Sequence, residues 1–162
     1  MDHTSDDIKS FCSSRLGEGL NEEQMRLLAS ISRCRTLHDD EILFEEGKVD
    51  HTLHIVASGK LLITRQVAGG DPLILHVIQE GDLAGEMSFV GGRPHSATVR
   101  AIGRPTVCTF ERSDFESLIE KDPWLVYKVM QNIVKVVHDI LRKMNTQYVE
   151  MSNYISQQHG RY

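Results

Sequence analysis

The chain has 162 residues, of which 40% are hydrophobic and 25% are charged, as in a globular domain with one core. A formal net charge of −5 excludes the broad basic surface that general nucleic-acid binding requires. No apolar run reaches membrane-spanning length, and the N-terminus is polar and acidic, unlike a signal peptide. We therefore expect a single domain, residues 1–162, in the cytoplasm and without a membrane contact.

The three cysteines, Cys12, Cys34 and Cys108, are widely separated and match no metal or redox spacing. Their odd number fits a reducing cytoplasm. Cys34 and Cys108 each fall in a strand-like context, so we interpret both as core thiols.

Residues 1–33 carry the pattern of two helices. A first helix is predicted over residues 6–16, with three apolar residues facing inward, Ile8, Phe11 and Cys12. Asn21 is followed three residues later by Gln24, which matches a capping box and predicts the start of a second helix.

Residues 34–111 change to a period of two, with short apolar runs between glycine and proline turns. The predicted strands are 34–37, 41–44, 52–58, 60–66, 73–78, 96–102 and 106–110, and residues 69–72 form a predicted hairpin tip. Many short strands at even spacing indicate an antiparallel barrel or jelly roll.

Residues 113–162 return to a helical pattern. Ser113 and Glu116 match a second capping box, and Pro123 suits the first turn of another helix. Apolar residues then recur at heptad spacing, at Val126, Met130, Ile133, Val137, Ile140, Met144, Tyr148, Met151 and Ile155. A helix of roughly forty residues is too long to bury this whole seam on a small barrel. We expect residues 133–155 to pair with a second copy in a homodimer, the alternative being a seam that packs only on its own barrel.

The stretch from residue 81 to residue 99, GDLAGEMSFVGGRPHSATV, combines four glycines with isolated acids and a polar run. Glycines let backbone N–H groups approach an anion closely, and a neighbouring glutamate accepts hydrogen bonds from sugar hydroxyls. A nucleotide phosphate with its ribose needs both features. The alternative is that the glycines are turn residues only.

Four segments resemble a known family: ILFEEG (42–47), LHIVASGK (53–60), GDLAGEMSF (81–89) and PHSATV (94–99). With the order of elements, they resemble the cyclic nucleotide-binding domain of the catabolite activator protein type across residues 21–145. Within it, residues 81–99 resemble the phosphate-binding cassette of that family. The resemblance implies an α+β, mainly β fold. Its parts would be N-terminal helices (1–33), a β-roll of the jelly-roll or double-stranded β-helix kind (34–111) with a short cassette helix, and C-terminal helices (113–162), the last a long dimerisation helix.

The resemblance also implies site residues. Glu86 matches the acceptor of the ribose 2′-hydroxyl, and the backbone of Gly85, Met87 and Ser88 matches the part that surrounds the ring phosphate. Ser96, followed by Ala97, matches the small residue that faces the phosphate. The implied ligand is cyclic AMP or cyclic GMP, and no metal is implied.

His95 stands where the family pattern has an arginine that forms a charged fork on the cyclic phosphate. A neutral histidine offers one donor and no charge, so the ligand should bind best when His95 is protonated. Affinity should then fall from about pH 6 to about pH 8. Arg93 lies two residues earlier and is a second candidate cation for the phosphate.

In relatives the long helix offers polar groups to the purine, and Asn145 is the candidate here, with a role in dimer register as the alternative. After Asn145 only seventeen residues remain, TQYVEMSNYISQQHGRY, which leave no room for a helix-turn-helix. We therefore expect no DNA binding and a stand-alone regulatory domain that signals through its dimer helix to an unknown effector protein.

Two other classes of protein are alternatives, a metalloenzyme and a protein-interaction module. A cupin-like metalloenzyme would need paired histidines on one strand face, whereas His51 and His54 point to opposite faces and His76 and Glu80 are isolated. We expect no enzymatic activity, although the sequence leaves haem or another ligand open. The other class is a degenerate cassette that binds no nucleotide and acts as a dimeric protein-interaction module.

Overall fold

The computed structural model describes residues 5–159, and side chains within residues 8–158. The helices are α1 (Ser5–Ser13), α2 (Glu22–Ser30), α3 (Glu86–Gly91), α4 (Arg112–Glu116) and α5 (Pro123–His159), with a 3-10 helix (Arg15–Gly17) after α1. The strands are β1 (Arg33–Thr36), β2 (Ile42–Phe44), β3 (Thr52–Arg65), β4 (Leu73–Ile78), β5 (Leu83–Ala84) and β6 (Thr98–Glu111).

All strand pairs are antiparallel, in the order β1-β6-β3-β4, with β2 beside β6 and β5 beside β3. The mainly β fold with N-terminal helices, a short helix between strands and a long last helix confirms the predicted class. The hairpin tip at residues 69–72 lies between β3 and β4, as predicted.

The two longest strands correct the predicted strand list. Residues 52–58 and 60–66 join into β3, and residues 96–102 and 106–110 join into β6. Gly59 does not end the strand: at φ +80° it shifts the register, and a Cβ there would lie 2.8 Å from the Cα of Pro105. A glycine inside a strand thus allows a bend and a close backbone approach where the sequence pattern indicated a turn.

The helix ends are partly as predicted. Both hydrogen bonds of the Asn21 and Gln24 capping box form, at 2.8 and 3.2 Å, and α5 begins at Pro123. The second predicted capping box is wrong, because α4 begins at Arg112, before Ser113, and Glu111 at its N-cap makes no side-chain cap.

Two hydrophobic clusters organise the domain. The larger joins the helices to the sheet through Phe11, Leu28, Leu53, Phe110, Phe115, Leu125 and Val129, among others. The smaller fills the roll with Leu37, Val56, Leu61, Ile78, Ala84, Val99, Ala101 and Val107. Leu53 and Ile55 of β3 enter the larger cluster and Val56 enters the smaller one, so both faces of this strand are buried over residues 53–56.

Helix α5 divides into two parts. Ile133 and Val136 are only 2% and 3% exposed and belong to the core of their own chain. Ile140, Met144, Tyr148, Met151 and Ile155 are all exposed. Within the predicted pairing surface at 133–155, Ile133 and Val136 therefore pack on their own chain, and the exposed residues of the heptad seam begin at Ile140.

The cysteines contradict the sequence interpretation. Cys34 of β1 and Cys108 of β6 are directly opposite in the ladder and form a disulfide, with 4.0 Å between their Cα atoms. Cys12 is free and exposed, although the helical pattern predicted it to face inward. The pairing was not readable from the sequence because it depends on which strands are neighbours in the sheet.

Candidate functional site

A cavity of about 160 Å³ lies between the β-roll and α5. Residues 82–88 and 95–97 form one wall. The opposite side is closed by four residues of α5, namely Val136, Asp139, Ile140 and Lys143, and by Arg15 of the 3-10 helix. Apolar residues from β2, β3, β4 and β6 complete the lining with His76: Phe44, Ile63, Ile78 and Val99. The stretch of residues 81–99 therefore faces the long helix across a partly open cavity.

The cassette helix α3 is fixed by its glycine and by one aromatic residue. Gly85 precedes α3 at φ +83°, and a Cβ there would lie 3.0 Å from the carbonyl oxygen of Thr52. Phe89 on the other side of α3 is buried and packs on Phe110 and Phe115, with ring centroids 5.5 and 5.6 Å apart. The backbone from Gly85 onward is thus held against the cavity by the core behind it.

Glu86 opens α3 and lines the cavity. Burial raises the pKa of its carboxyl above the ordinary value, and the hydrogen bond to its own backbone N–H and the nearby His95 offset only part of that effect. A partly desolvated acceptor of this kind gains most from a ligand that donates hydrogen bonds to it.

His95 is buried and held from two directions. Its Nε2 lies 2.9 Å from Oδ2 of Asp50, and its ring stacks on Phe44 with 3.9 Å between centroids. Since a carboxylate only accepts, Nε2 donates to Asp50 and Nδ1 is the ring nitrogen left for the cavity. A neutral His95 therefore presents an acceptor to a phosphate, and only the protonated ring presents a donor.

Asp50 makes hydrogen bonds to two residues of the cassette, His95 and Ser88. Burial raises the pKa of its carboxyl, but hydrogen bonds from His95 and from the backbone and hydroxyl of Thr52 outweigh burial, so the net pKa is lowered. Ser88 Oγ also donates to the backbone carbonyl of Asp50, which ties α3 to the same loop. Asp50 thus stays ionised at neutral pH and orients His95.

The hydrogen bonds continue from Asp50 into the sheet. Thr52 Oγ1 donates to Oδ1 of Asp50 at 2.9 Å, so it must accept from Nε2 of His54 at 3.0 Å. His54 Nδ1 then accepts from the hydroxyl of Thr109 at 2.7 Å. Burial of His54 lowers its pKa to about 4, so this ring is neutral at neutral pH.

The 3-10 helix connects α5 to the cassette turn. Arg15 donates its backbone N–H to the carbonyl of Gly81 at 3.0 Å, and its guanidinium pairs with Asp139 of α5 at the cavity. Asn132 of α5 donates to the carbonyls of Leu16 and Glu18 at 2.8 and 2.9 Å. A shift of α5 therefore strains contacts that lead directly to the cassette.

The structure brings most of the predicted site residues together. Seven line the cavity: Gly85, Glu86, Met87, Ser88, His95, Ser96 and Ala97. Arg93 is exposed beside a separate apolar groove between α3 and α5, and Asn145 is exposed on α5 beyond the cavity. Neither is brought to the cavity by the contacts of the single chain.

Five polar residues of the cavity were not among the predicted site residues: Arg15, His76, Asp82, Asp139 and Lys143. His76 had a usable signal, because it is a polar residue on the β4 strand just before the cassette. No local pattern relates residue 15 to residue 139, so the Arg15 contact required the tertiary structure.

A family model for the cyclic nucleotide-binding domain matches residues 34–122, which include the cassette and the strands around it. The chain belongs to the cyclic nucleotide-binding domain family. Its catabolite-activator type is supported by a relative from Thermus thermophilus described as a cyclic AMP receptor protein, 29% identical over 116 residues.

This alignment covers 72% of the chain and 54% of the Thermus protein. A cAMP-dependent protein kinase regulatory subunit from Dictyostelium discoideum is 30% identical over 83 residues, which are 49% of this chain and 25% of that protein. The chain thus spans about half or less of the length of these relatives. Both are described as regulatory or receptor proteins, in keeping with a regulatory rather than catalytic family.

Solved structures agree with the fold. The Thermus thermophilus catabolite activator protein superposes with a TM-score of 0.74 at 27% identity, over 86% of this chain and 63% of that one. A cyclic nucleotide-binding domain from Methylobacillus flagellatus gives a TM-score of 0.80 at 20% identity, over 90% and 82% of the two chains. The second match supports the fold alone.

Within the described residues 5–159, no helix is long and apolar enough to cross a membrane. The same part of the chain contains no group of three or more histidine, cysteine, aspartate or glutamate side chains that could hold a metal ion.

Proposed function

We propose that this domain binds a cyclic nucleotide, cyclic AMP or cyclic GMP, in the cavity between the β-roll and α5, and that it does so in the cytoplasm. The placement of Glu86 beside the Gly85–Ser88 backbone, opposite α5, carries the proposal. Glu86 accepts the ribose 2′-hydroxyl. The backbone at Gly85, Met87 and Ser88 surrounds the ring phosphate, with Ser96 and Ala97 on its other side, and His95 supplies a positive charge when protonated.

The signal leaves the site through α5. The cavity is closed by Asp139, Ile140 and Lys143, so a bound nucleotide contacts the helix just before its exposed stripe begins. The ligand shifts the position of α5 only to the extent that it binds one arrangement more tightly than the other. The Arg15 contacts to Gly81 and Asp139 transmit that preference between the cassette and the helix.

The domain works as a homodimer in this proposal. The exposed residues of α5 from Ile140 to Ile155 follow the heptad spacing that pairs helices, and a stripe of this kind is rarely left open to water. Asn145 lies on this part of the helix and reaches a purine only from a partner subunit. The effector protein that receives the signal is a further, unidentified partner, and no direct contact with DNA is proposed.

Thermal unfolding with and without ligand tests nucleotide binding. At a hundredfold excess over the dissociation constant a ligand adds about 2.7 kcal/mol to the unfolding free energy. For a domain of this size that corresponds to a rise in melting temperature of roughly 5–10 °C. Cyclic AMP and cyclic GMP are compared with 5′-AMP, which has the same base and ribose without the cyclic phosphate.

A second function is favoured by one observation. In the free domain the Nε2 atom of His95 is bound to Asp50 and its ring is stacked on Phe44, and a neutral ring offers no charge to a phosphate. A cassette fixed in this way suits a dimeric protein-interaction module that no longer binds nucleotide. An unchanged melting temperature with both cyclic nucleotides at millimolar concentration would establish this alternative.

A further inference from the structure

The disulfide between Cys34 and Cys108 is the feature that nucleotide binding leaves without a role. Its two residues face each other across the β1–β6 ladder, with Cα atoms 4.0 Å apart, which is closer than the usual distance of about 4.4–6.8 Å, so breaking the bond allows the two strands to move apart at this point. β1 is only four residues long and lies at the edge of the sheet, where β6 is its partner strand. The bond is therefore a covalent tie between an edge strand and the centre of the roll.

The two sulfurs differ in their access to solvent. Cys34 is partly exposed, whereas Cys108 is 1% exposed. Cys34 is therefore the side from which an external thiol or disulfide approaches the bond, and the buried Cys108 reacts only with Cys34. This asymmetry separates an attacking position from a resolving position, as reversible thiol–disulfide exchange requires.

Cys108 is also next to the hydrogen bonds that support the cassette. The following residue, Thr109, binds His54, and the bonds continue through Thr52 to Asp50 and His95. In the β3–β6 ladder, Cys108 and Thr109 stand opposite Ile55 and His54. A change in the position of β6 at Cys108 is thus passed to His54 by the neighbouring pair, and from there to His95.

We propose that Cys34–Cys108 is a reversible redox site that exchanges with low-molecular-weight thiols and disulfides and sets the position of the histidine network under the cassette. In a reducing compartment, disulfides that do form are usually transient and regulatory, which agrees with a bond on an edge strand. The domain would then receive a redox input separate from the nucleotide.

Glutathione disulfide is a suitable oxidant for forming the Cys34–Cys108 bond. The Cys34 thiolate attacks one sulfur of glutathione disulfide, forms a mixed disulfide and releases one glutathione thiolate. The Cys108 thiolate then attacks Sγ of Cys34 and releases the second glutathione thiolate. The two protons lost by Cys34 and Cys108 end on the two glutathione molecules, so two electrons pass from the protein to the oxidant. Excess reduced glutathione drives the reverse reaction through attack on Cys34.

Thiol counting and melting temperature test the bond in the nucleotide-free domain. The unfolded chain should show one reactive thiol after oxidation, at Cys12, and three after reduction. Because the bond closes a loop across 74 residues, reduction should lower the melting temperature by roughly 10 °C. Cys34→Ser should melt at the lower temperature under both conditions, and Cys12→Ser should behave as the unmodified chain.

Two results overturn the redox site. Three reactive thiols after treatment with glutathione disulfide would show that the bond does not form. One reactive thiol after treatment of the folded domain with excess reduced glutathione would show a permanent structural bond that does not exchange.

The connection to the cassette has its own readout. Histidine ring signals in nuclear magnetic resonance should shift at His54 and His95 between the oxidised and reduced forms, while His138, exposed on α5, stays unchanged. Unshifted His54 and His95 signals would refute the connection. None of these measurements uses a nucleotide, so their failure is distinguishable from a failure of nucleotide binding.

Discussion

Glu86→Gln should stabilise the nucleotide-free domain against unfolding and weaken its binding of a cyclic nucleotide. Burial raises the pKa of Glu86, so its ionised form at neutral pH opposes folding. Gln has nearly the same shape without the charge. Removing a destabilising charge from a binding site commonly adds about 1 kcal/mol to the unfolding free energy. For a domain of this size this is a rise of roughly 3 °C in melting temperature.

The pH dependence identifies the charge as the cause. Between the ordinary value of 4.5 and its raised folded pKa, Glu86 binds more protons in the folded state than in the unfolded state. Its contribution to stability therefore decreases as pH rises across that interval, and is unaffected below it. The gain from Glu86→Gln should therefore be larger at pH 7 than at pH 4, measured by urea unfolding at both values.

The same substitution should cost affinity. A hydrogen bond to a charged group contributes about 1.5–3 kcal/mol, against about 0.5–1.5 kcal/mol for a neutral one. Losing that difference weakens cyclic nucleotide binding roughly tenfold, measurable by titration calorimetry. Glu120→Gln, at an exposed position after α4, is the matched control and should change neither quantity. A Glu86→Gln variant that is less stable than the natural chain at pH 7 would refute the reasoning.

Three further expectations concern other parts of the domain. His95→Arg should strengthen cyclic nucleotide binding, because arginine carries a permanent charge and several donors for the phosphate, and an unchanged affinity in calorimetry would argue against a phosphate contact at this position. Burial lowers the pKa of His54 from 6.5 to about 4. As pH falls, His54 is protonated in the unfolded chain before it is protonated in the folded domain. The free energy of unfolding should therefore decrease by roughly 3 kcal/mol between the two pKa values. His54→Gln should flatten that slope in urea unfolding, and an unchanged slope would argue against it. Met144→Glu in the exposed stripe of α5 should convert the dimer to a monomer in light scattering at micromolar concentration; the exposed Lys135→Glu, on the half of α5 that packs on its own chain, is the control.

The family and the cassette could be predicted from local sequence patterns alone. Local signals decided these features: the capping box at Asn21, the alternation in the strands, and the glycines around Glu86, each of which acts within a few residues. The seven predicted site residues that line the cavity are close together in the chain, so a contiguous motif was sufficient to find them.

The tertiary structure decided what lies opposite the cassette. The Arg15 pair with Asp139, the Cys34 bond to Cys108 and the Asp50 contact to His95 join residues 124, 74 and 45 positions apart. These contacts depend on strand order and on where α5 packs, which no local period encodes. The heptad seam of α5 is a further example of a contact that the sequence pattern does not predict. Ile133 and Met144 belong to the same seam, but Ile133 is buried in the core of its own chain and Met144 is exposed. The spacing fixes which residues share a face of the helix, and only the packed domain decides what that face touches.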